Sequence, residues 1–303
     1  MDNQKCPTCF DSISIDTYES HINNCITQQQ EYFHKLTREN PQKSTIIHNI
    51  STNLSIIQNK ALNFSYKKSR IYSKNTKLEA QHRFKIKGFT EDIYNKTINY
   101  IKNNVKIIIH INLEKTLKKI IEDDYYRNSF ETGNSGGSND KVARSSWENQ
   151  LFNSLYANSS HEEKVKYGAL NLTNSPKGID SCYGYGNSFL VLKNEIKDRC
   201  TFVLGDSSKM DMHLGTFKYC DILLALMPNN LLDKVINISI EKIDFCDYGN
   251  FEYIEAQIHG PIRLHQDIEL LVVNSNYNTN GSILDLLDQF SNKYNCPYIF
   301  MSP

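Results

Sequence analysis

The sequence predicts an α+β protein, in which a small ββα-type zinc finger precedes a large mixed α/β domain with a mostly antiparallel, strand-rich C-terminal half. Two observations lead to this prediction. Three of the eight Cys stand in the first 25 residues, whereas strand-like and helix-like runs alternate densely only after about residue 80. We therefore expect three segments: a finger with its following helix over 1–40, a linker with some helix over 41–79, and the α+β domain over 80–303.

The composition limits the classes of partner. The 34 Lys and Arg balance 34 Asp and Glu, so the chain has no overall basic field, and nucleic acid is not expected as a partner. No apolar run approaches the roughly 20 residues that span a bilayer, and the N-terminus is polar from its first residues. We therefore expect an intracellular protein of the cytoplasm or nucleus without a membrane partner. In that reducing environment its Cys residues are poor disulfide candidates.

The large domain is predicted from alternating helix and strand signals. A helix capped by Thr90 is followed by a buried strand over 105–111, a short helix over LEKTLKKII and a glycine-rich loop over 134–140. Further helices are expected over ARSSWENQLFNSLY, TFKYCDILLALM, LLDKVINI and SILDLLDQF. The other strand-like runs are KYGALNL, NSFLVLK, RCTFVLG, FEYIEAQIH and IELLVV.

The first 25 residues contain four side chains at zinc-ligand spacing. Cys6 and Cys9 stand on a tight knuckle, and His21 and Cys25 stand four residues apart, on one face of a helix. Zn²⁺ prefers four thiolate and imidazole ligands in a tetrahedral arrangement. We therefore predict that Cys6, Cys9, His21 and Cys25 bind one structural Zn²⁺.

The string CPTCFDSISIDTYESHINNC resembles the ubiquitin-binding zinc fingers of the UBZ class, which occur in DNA-repair ubiquitin ligases and translesion polymerases. The resemblance implies that the helix of the finger binds the exposed aliphatic patch of ubiquitin. Several of these fingers carry Asp between the last two zinc ligands, where this chain has Asn23. A zinc staple, or a finger for another protein or for nucleic acid, is the alternative.

Three groups of strings in the large domain resemble a second family. They are YYRNSFETGNSGG with SSWENQLF, then KYGALNL with GYGNSFLVLK and RCTFVLGDSS, and finally YIEAQIHGPI. Together they resemble the bacterial domain of unknown function family 3626 over most of residues 105–303. The usual His-Pro-Asp of that family is replaced here by Asn112, Leu113 and Glu114. The family name implies no reaction.

Glu255 is the candidate catalytic residue, because a carboxylate in the middle of a strand rarely helps packing. Strand alternation places Tyr253, Glu255 and Gln257 on one face. A strand Glu, an aliphatic stretch and then Gly260 is similar to the last motif of NAD-dependent ADP-ribosyltransferases. A solvated or ion-paired Glu is the alternative.

The same resemblance implies an Arg that binds NAD and a Ser-bearing strand, both ahead of the catalytic Glu. Arg127 and Ser188 stand in that order, Arg127 to hold the phosphates and Ser188 to hold the ribose. Tyr253, or a Tyr of the loop over 183–185, is expected to stack on nicotinamide. Arg199 competes with Arg127 for the phosphate role, and an ordinary surface ion pair is the alternative for Arg127.

Three functions are consistent with these residues. In the first, the finger recruits ubiquitin, and the large domain uses NAD to transfer ADP-ribose to ubiquitin or to a ubiquitinated protein acceptor. In the second, the protein is a non-enzymatic adaptor whose large domain binds another partner. In the third, Glu255 and His259 serve a hydrolase of unassigned substrate.

The finger generates the first prediction. A peptide of residues 1–40 should be unfolded without metal and helical with one equivalent of Zn²⁺, because a segment this short has no core and its folding depends on ligation. Circular dichroism measures the helix content. Cys9→Ala or His21→Ala should abolish the response of the peptide to Zn²⁺, and in the full chain the same substitutions should leave residues 80–303 folded. The same helix content in excess chelator would contradict the zinc site.

Overall fold

The computed structural model describes residues 3–5, 12–14, 17, 20–21, 54–133, 140–209 and 213–301. Strands β1 (Asn3–Lys5) and β2 (Ser12–Ser14) pair as a short antiparallel hairpin. Of the four predicted zinc ligands, Cys6, Cys9 and Cys25 lie outside the described residues. The zinc site therefore stays a prediction.

The first long element is helix α1 (Ile56–Ile86). It begins with a capping box, in which Ser55 accepts a hydrogen bond from the Gln58 backbone and the Gln58 side chain accepts one from Ser55 N at 2.9 Å. The same Gln58 side chain donates to the carbonyl of Glu163, which ties the start of the helix to the large domain. The predicted boundary between linker and domain, at residues 79 and 80, falls inside this helix. Helix α1 therefore continues across the predicted boundary and contacts the α+β domain.

The large domain continues with alternating helices and strands. Its other helices are α2 (Glu91–Asn103), α3 (Leu113–Ile121), α4 (Ser129–Thr132), α5 (Lys141–Leu151), α6 (Asp221–Leu226), α7 (Asn229–Ser239), α8 (Leu264–Asp267) and α9 (Gly281–Tyr294). Its strands are β3 (Lys106–Ile111), β4 (Tyr125–Tyr126), β5 (Lys166–Asn171), β6 (Ser188–Leu192), β7 (Cys200–Leu204), β8 (Gly215–Thr216), β9 (Ile254–Ile258), β10 (Ile262–Arg263), β11 (Ile268–Val273) and β12 (Tyr298–Phe300). None of the helices in the described part of the chain is long and apolar enough to cross a membrane.

Eight of these strands form one sheet, in the order β12-β11-β6-β3-β5-β9-β7-β8. Every neighbouring pair is antiparallel except β11 with β12. The predicted mixed α/β domain with a mostly antiparallel C-terminal half is therefore confirmed for the described residues. The predicted helix over TFKYCDILLALM is shorter than expected, because its first residues form β8 and a turn.

The two faces of β9 have different surroundings. Ile254, Ala256 and Ile258 point into the main hydrophobic core. The opposite face carries Glu255 and Gln257, whose partners across the neighbouring strand β7 are Val203 and Thr201. Val203 belongs to a second, smaller core between the sheet, the start of α1 and the segment that follows α5. The polar face of β9, with Glu255 and Gln257, is therefore on the side of the sheet that this segment covers.

Candidate functional site

Glu255 lies on the central strand β9 with only 6% of its surface exposed. Gln257, two residues further on the same face, donates a hydrogen bond from Nε2 to Oε1 of Glu255 at 2.9 Å. Ser207, in the turn after β7, supplies hydrogen bonds from its side chain and its backbone. The carboxyl group is therefore held by neutral donors, and no cation pairs with it among the described residues.

Two tyrosines and a second carboxylate border Glu255. Tyr253 donates from its hydroxyl to Oδ2 of Asp206 at 2.9 Å. The ring of Tyr185 meets that of Tyr253 edge to face, with centroids 6.4 Å apart. Both rings are half-buried. The site is thus a polar, aromatic-walled corner where the end of β7, the start of β9 and the segment before β6 meet.

The two carboxylates have opposite pKa shifts. Burial raises the pKa of Glu255 to about 7, and the negative charge of Asp206 adds to this, against the hydrogen bonds from Ser207 and Gln257. Burial also acts to raise the pKa of Asp206, but hydrogen bonds from Ser208 and Tyr253 outweigh it and hold that pKa below its ordinary value. At neutral pH Asp206 is therefore ionised, while Glu255 can exchange a proton. Such a pair suits acid–base chemistry.

A loop over residues 172–187 covers this side of the sheet, and His110 fastens it. The ring Nδ1 of His110, on β3, lies 2.8 Å from the carbonyl oxygen of Gly186, and Nε2 accepts from the backbone N–H of Ile179 at 3.1 Å. Nδ1 must therefore carry the proton. Burial lowers the pKa of His110 to about 4, so the ring is neutral and the same two bonds hold at neutral pH. His110 thereby fixes both ends of the short 3₁₀ helix that carries Tyr185.

Gly186 shows how closely this loop approaches the sheet. A Cβ atom at this position would lie 2.0 Å from the carbonyl of Ile111, and its φ of +140° is one that L side chains rarely adopt. Glycine is therefore required next to Tyr185, because the loop backbone lies directly against the end of β3.

A chain of buried hydrogen bonds runs from Glu255 along its own face of the sheet. The Oγ1 of Thr201 donates to Oε1 of Gln257 at 2.9 Å, and it lies 3.3 Å from Nε2 of His259. The hydroxyl of Tyr156 lies 2.7 Å from Nδ1 of the same ring. Tyr156, Thr201, Gln257 and His259 are all fully buried.

The chemistry of the donors gives this chain one direction. The single hydroxyl proton of Thr201 is used on Gln257, so the hydroxyl can only accept from His259, which must carry its proton on Nε2. Nδ1 then accepts from Tyr156. Burial, and secondarily the charge of Arg199, lowers the pKa of His259 to about 3, which keeps the ring neutral. Four donors in series therefore point at Glu255, and they favour its ionised form and fix its rotamer.

The structure brings together only some of the residues that the sequence singled out. Tyr253 and Glu255 are neighbours at the site. Arg127 lies elsewhere, with Nε 2.7 Å from Asp123 and Nη1 3.0 Å from Glu131, at the end of the sheet near Lys166. Arg127 thus pairs with carboxylates four residues before and four residues after it. This is the surface ion pair that the sequence offers as the alternative to phosphate binding.

Ser188 and Arg199 are also apart from Glu255. Ser188, at 0% exposure, accepts from the backbone N–H of Asn274, and its strand β6 is separated from β9 by β3 and β5. Arg199 donates to the carbonyl of His259 at 2.6 Å and to Asp267 at 3.1 Å. Both side chains thus make structural contacts in this conformation.

A cleft of about 490 Å³ runs along the outer face of α5. Its lining residues are Lys141, Val142, Ser145, Ser146 and Asn149. The Oδ1 atom of Asn149 is buried without a hydrogen-bond partner. The depression is shallow and open to solvent, and the buried Oδ1 atom is not accessible from it, so these residues form no enclosed binding site.

Sequence reasoning missed Asp206, Thr201 and His110. Asp206 follows a predicted strand in the string VLGDSS, a position where polar residues often serve a site, and that signal was available. The roles of Thr201 and His110 depend on the order of strands in the sheet. No local pattern indicates that order.

The comparisons with known proteins concern mainly the region after α2. A family described as "Protein of unknown function (DUF3626)" matches residues 110–244 and 229–302. The "Gene 2 protein" of Mycobacterium phage D29 is 32% identical over 167 residues, which cover 52% of this chain and 61% of the phage protein. Thus the match spans less than two thirds of that relative.

A solved structure, Thermosipho africanus DarTG in complex with ADP-ribose, aligns with a TM-score of 0.29 and 8% identity. The alignment covers 64% of this chain and 49% of the DarTG chain. A likeness at this level supports no conclusion about fold or function.

The hydrogen-bond chain generates a prediction. Thr201→Val removes the hydroxyl that orients Gln257, so the pKa of Glu255 should rise further, by roughly half a unit to one unit, the equivalent of one lost hydrogen bond. Thr201→Ser keeps the hydroxyl and should leave the pKa within about 0.2 units, as the conservative control. NMR titration of the Glu255 carboxyl carbon measures both. Equal values in the wild type and in Thr201→Val, or a His259 ring protonated on Nδ1, would contradict the chain.

The raised pKa of Glu255 generates a second prediction, for stability. A folded pKa of about 7 lies above the ordinary 4.5, so the folded chain holds this proton more tightly than the unfolded chain does. The contribution is complete below pH 4.5 and is lost as the pH rises through 7. Relative to Glu255→Gln, the wild type should lose about 3 kcal/mol of unfolding free energy across that window. Denaturant unfolding at several pH values measures it, and a constant difference would show that Glu255 has an ordinary pKa.

Proposed function

The chain belongs to the DUF3626 family, whose description names no reaction, and we propose from its own site that the large domain cleaves NAD and transfers ADP-ribose to an acceptor. The observation that carries the proposal is Glu255, a buried strand carboxyl with a pKa of about 7 beside an ionised Asp206. The motif resemblance around Glu255 supports NAD as the substrate. Zn²⁺ would have only a structural role, in the finger.

The proposed step breaks the bond between nicotinamide nitrogen and ribose C1′. The bonding electron pair leaves with nicotinamide, whose ring charge is thereby neutralised, and the sugar becomes oxocarbenium-like. An acceptor lone pair then forms the new bond to C1′, and the acceptor proton passes to Glu255. A carboxylate with a pKa near the working pH suits both tasks, since it is negative when the cation develops and basic enough to take the proton.

The walls of the site have roles in this proposal. Tyr185 and Tyr253 are the rings against which nicotinamide would stack, and they would limit access of water to C1′. For the phosphates, the proposal replaces Arg127 with cations nearer the site. Lys209, close to Asp206, and Arg144, whose guanidinium lies 5.8 Å from the ring centroid of Tyr167, are on the elements that surround Glu255.

The acceptor is the second part of the proposal. The resemblance of the finger to ubiquitin-binding fingers supports ubiquitin, or a ubiquitinated protein, as the acceptor. In that arrangement the finger delivers the acceptor and the large domain supplies the chemistry.

Release of nicotinamide tests the proposal. Purified protein is incubated with NAD, with and without ubiquitin, and nicotinamide is measured by chromatography while ubiquitin is examined by intact mass. Glu255→Gln should lower turnover by at least about 100-fold and leave NAD affinity within about threefold, because the carboxylate acts mainly on the transition state. The matched control is Glu195→Gln, an exposed carboxylate in the short helix between β6 and β7. Its activity should stay within a few-fold.

The outcomes separate the candidate functions. Nicotinamide release without any modified protein indicates hydrolysis of NAD. No nicotinamide over several hours, with or without ubiquitin, rejects the enzyme and leaves the non-enzymatic adaptor.

A further inference from the structure

The charges of the chain are unevenly distributed, and α1 holds the largest excess. Six Lys and two Arg stand in this helix against a single Glu, Glu79. The whole chain has equal numbers of basic and acidic residues, so the remainder is net negative. The formal charge of zero thus conceals one strongly basic element.

Two of the eight cations have structural partners. Arg83 donates to the carbonyls of Leu224 and Ala225 at 2.6 and 2.8 Å, so it caps the end of α6. Lys68 is half-buried, and its ammonium lies 5.9 Å from the ring centroid of Phe64. Neither is part of an exposed surface.

The other six cations form one exposed stripe, which we call the α1 stripe. It consists of Lys60, Lys67, Arg70, Lys74, Lys77 and Lys85. At about 100° per residue their Cα positions fall within an arc of about 100° around the helix, and at about 1.5 Å per residue they extend over roughly 37 Å. None of them forms an ion pair with another residue of the described part of the chain.

The absence of acidic partners is local to this face. Lys87, just beyond the helix, pairs with Asp233 at 2.7 Å, and Lys96 on α2 pairs with Asp92 at 3.0 Å. Within the stripe, Arg70 instead has a second cation three or four residues away on both sides. Like charges at these spacings destabilise a helix. The stripe therefore costs the folded protein stability, which a bound polyanion would restore.

We propose that the α1 stripe is a binding surface for the sugar–phosphate backbone of nucleic acid. A straight row of exposed cations on a rigid helix matches a row of phosphates, and Lys and Arg neutralise phosphates with release of counterions. The proposal departs from the expectation based on net charge. It is independent of the proposed reaction.

Anionic membrane fits this helix less well. An interfacial helix inserts an apolar face, but that face of α1, with Ala61, Leu62 and Phe84, is buried against the large domain. Four apolar side chains of α1 are exposed, Ile56, Ile71, Leu78 and Ile86, and they stand at least seven residues apart along the helix. They can contact sugars, but they form no face that inserts.

Helix α1 also contacts the loop that carries Asp206, through the face opposite the stripe. Tyr72, in the middle of α1, packs its ring edge to face on that of His213, with centroids 5.2 Å apart. His213 and Asp206 belong to the same connection between β7 and β8. The α1 stripe therefore lies on the side of the helix that faces away from this loop.

Fluorescence anisotropy of the full chain with labelled 20-base-pair DNA and RNA duplexes tests the proposal between about 50 and 200 mM salt. Binding should weaken with a slope of log affinity against log salt of about −5 for six contacts. The triple variant Lys67→Gln, Arg70→Gln, Lys74→Gln should bind at least tenfold more weakly, with a slope shallower by about 3. Circular dichroism confirms that the variant is folded.

The matched control removes the same charge from another helix. Lys115, Lys118 and Lys119 are exposed on α3, and their triple change to Gln should alter the affinity less than twofold. Comparison of the DNA and RNA duplexes shows which sugar–phosphate backbone is preferred. Binding of either duplex supports the proposal that the α1 stripe is a binding surface. Equal loss in both triple variants, no binding at the lowest salt, or equal binding of polyglutamate or of phosphatidylserine vesicles would overturn it.

Discussion

The burial of the Glu255 carboxyl group is the constraint around which this domain is arranged. A carboxylate on a central strand is costly unless its oxygens are hydrogen-bonded, and among the described residues no cation serves that purpose. The sheet instead supplies donors from the two strands that meet at Glu255, through Ser207 after β7 and Gln257 on β9. The strand order, with β9 between β5 and β7, is what brings these donors together.

Much of the fold follows from local patterns, and much of the site does not. Alternating apolar residues indicated the strands, and the face shared by Tyr253, Glu255 and Gln257 follows from a period of two. Ser188 and Phe189 show the limit of this reasoning, because a buried strand is apolar on both faces and its sequence cannot tell which residue faces a site. Long-range pairing decides that. The partner of Gln257 is 56 residues away in the sequence, so no window of local sequence contains both.

For a related physical reason, the sequence predicts only a linker with some helix over most of α1. Its buried face includes Gln58, Ser65 and Ser69, which are polar, so the apolar periodicity that marks a packed helix is weak. What holds the helix in place is a set of specific hydrogen bonds, such as that from Gln58 to the carbonyl of Glu163. Polar contacts of this kind are specific to the folded state and leave little trace in composition.

Helix α1 also packs against β8, the strand of two residues that ends the sheet. An uncovered sheet edge presents unpaired backbone groups that can recruit strands from other molecules. A shortened chain that begins at residue 80 would lose most of this cover, and with it the helix that shields β7 and β8. The helix thus serves as a guard against aggregation, and the smallest well-behaved form of the large domain has to begin before residue 56.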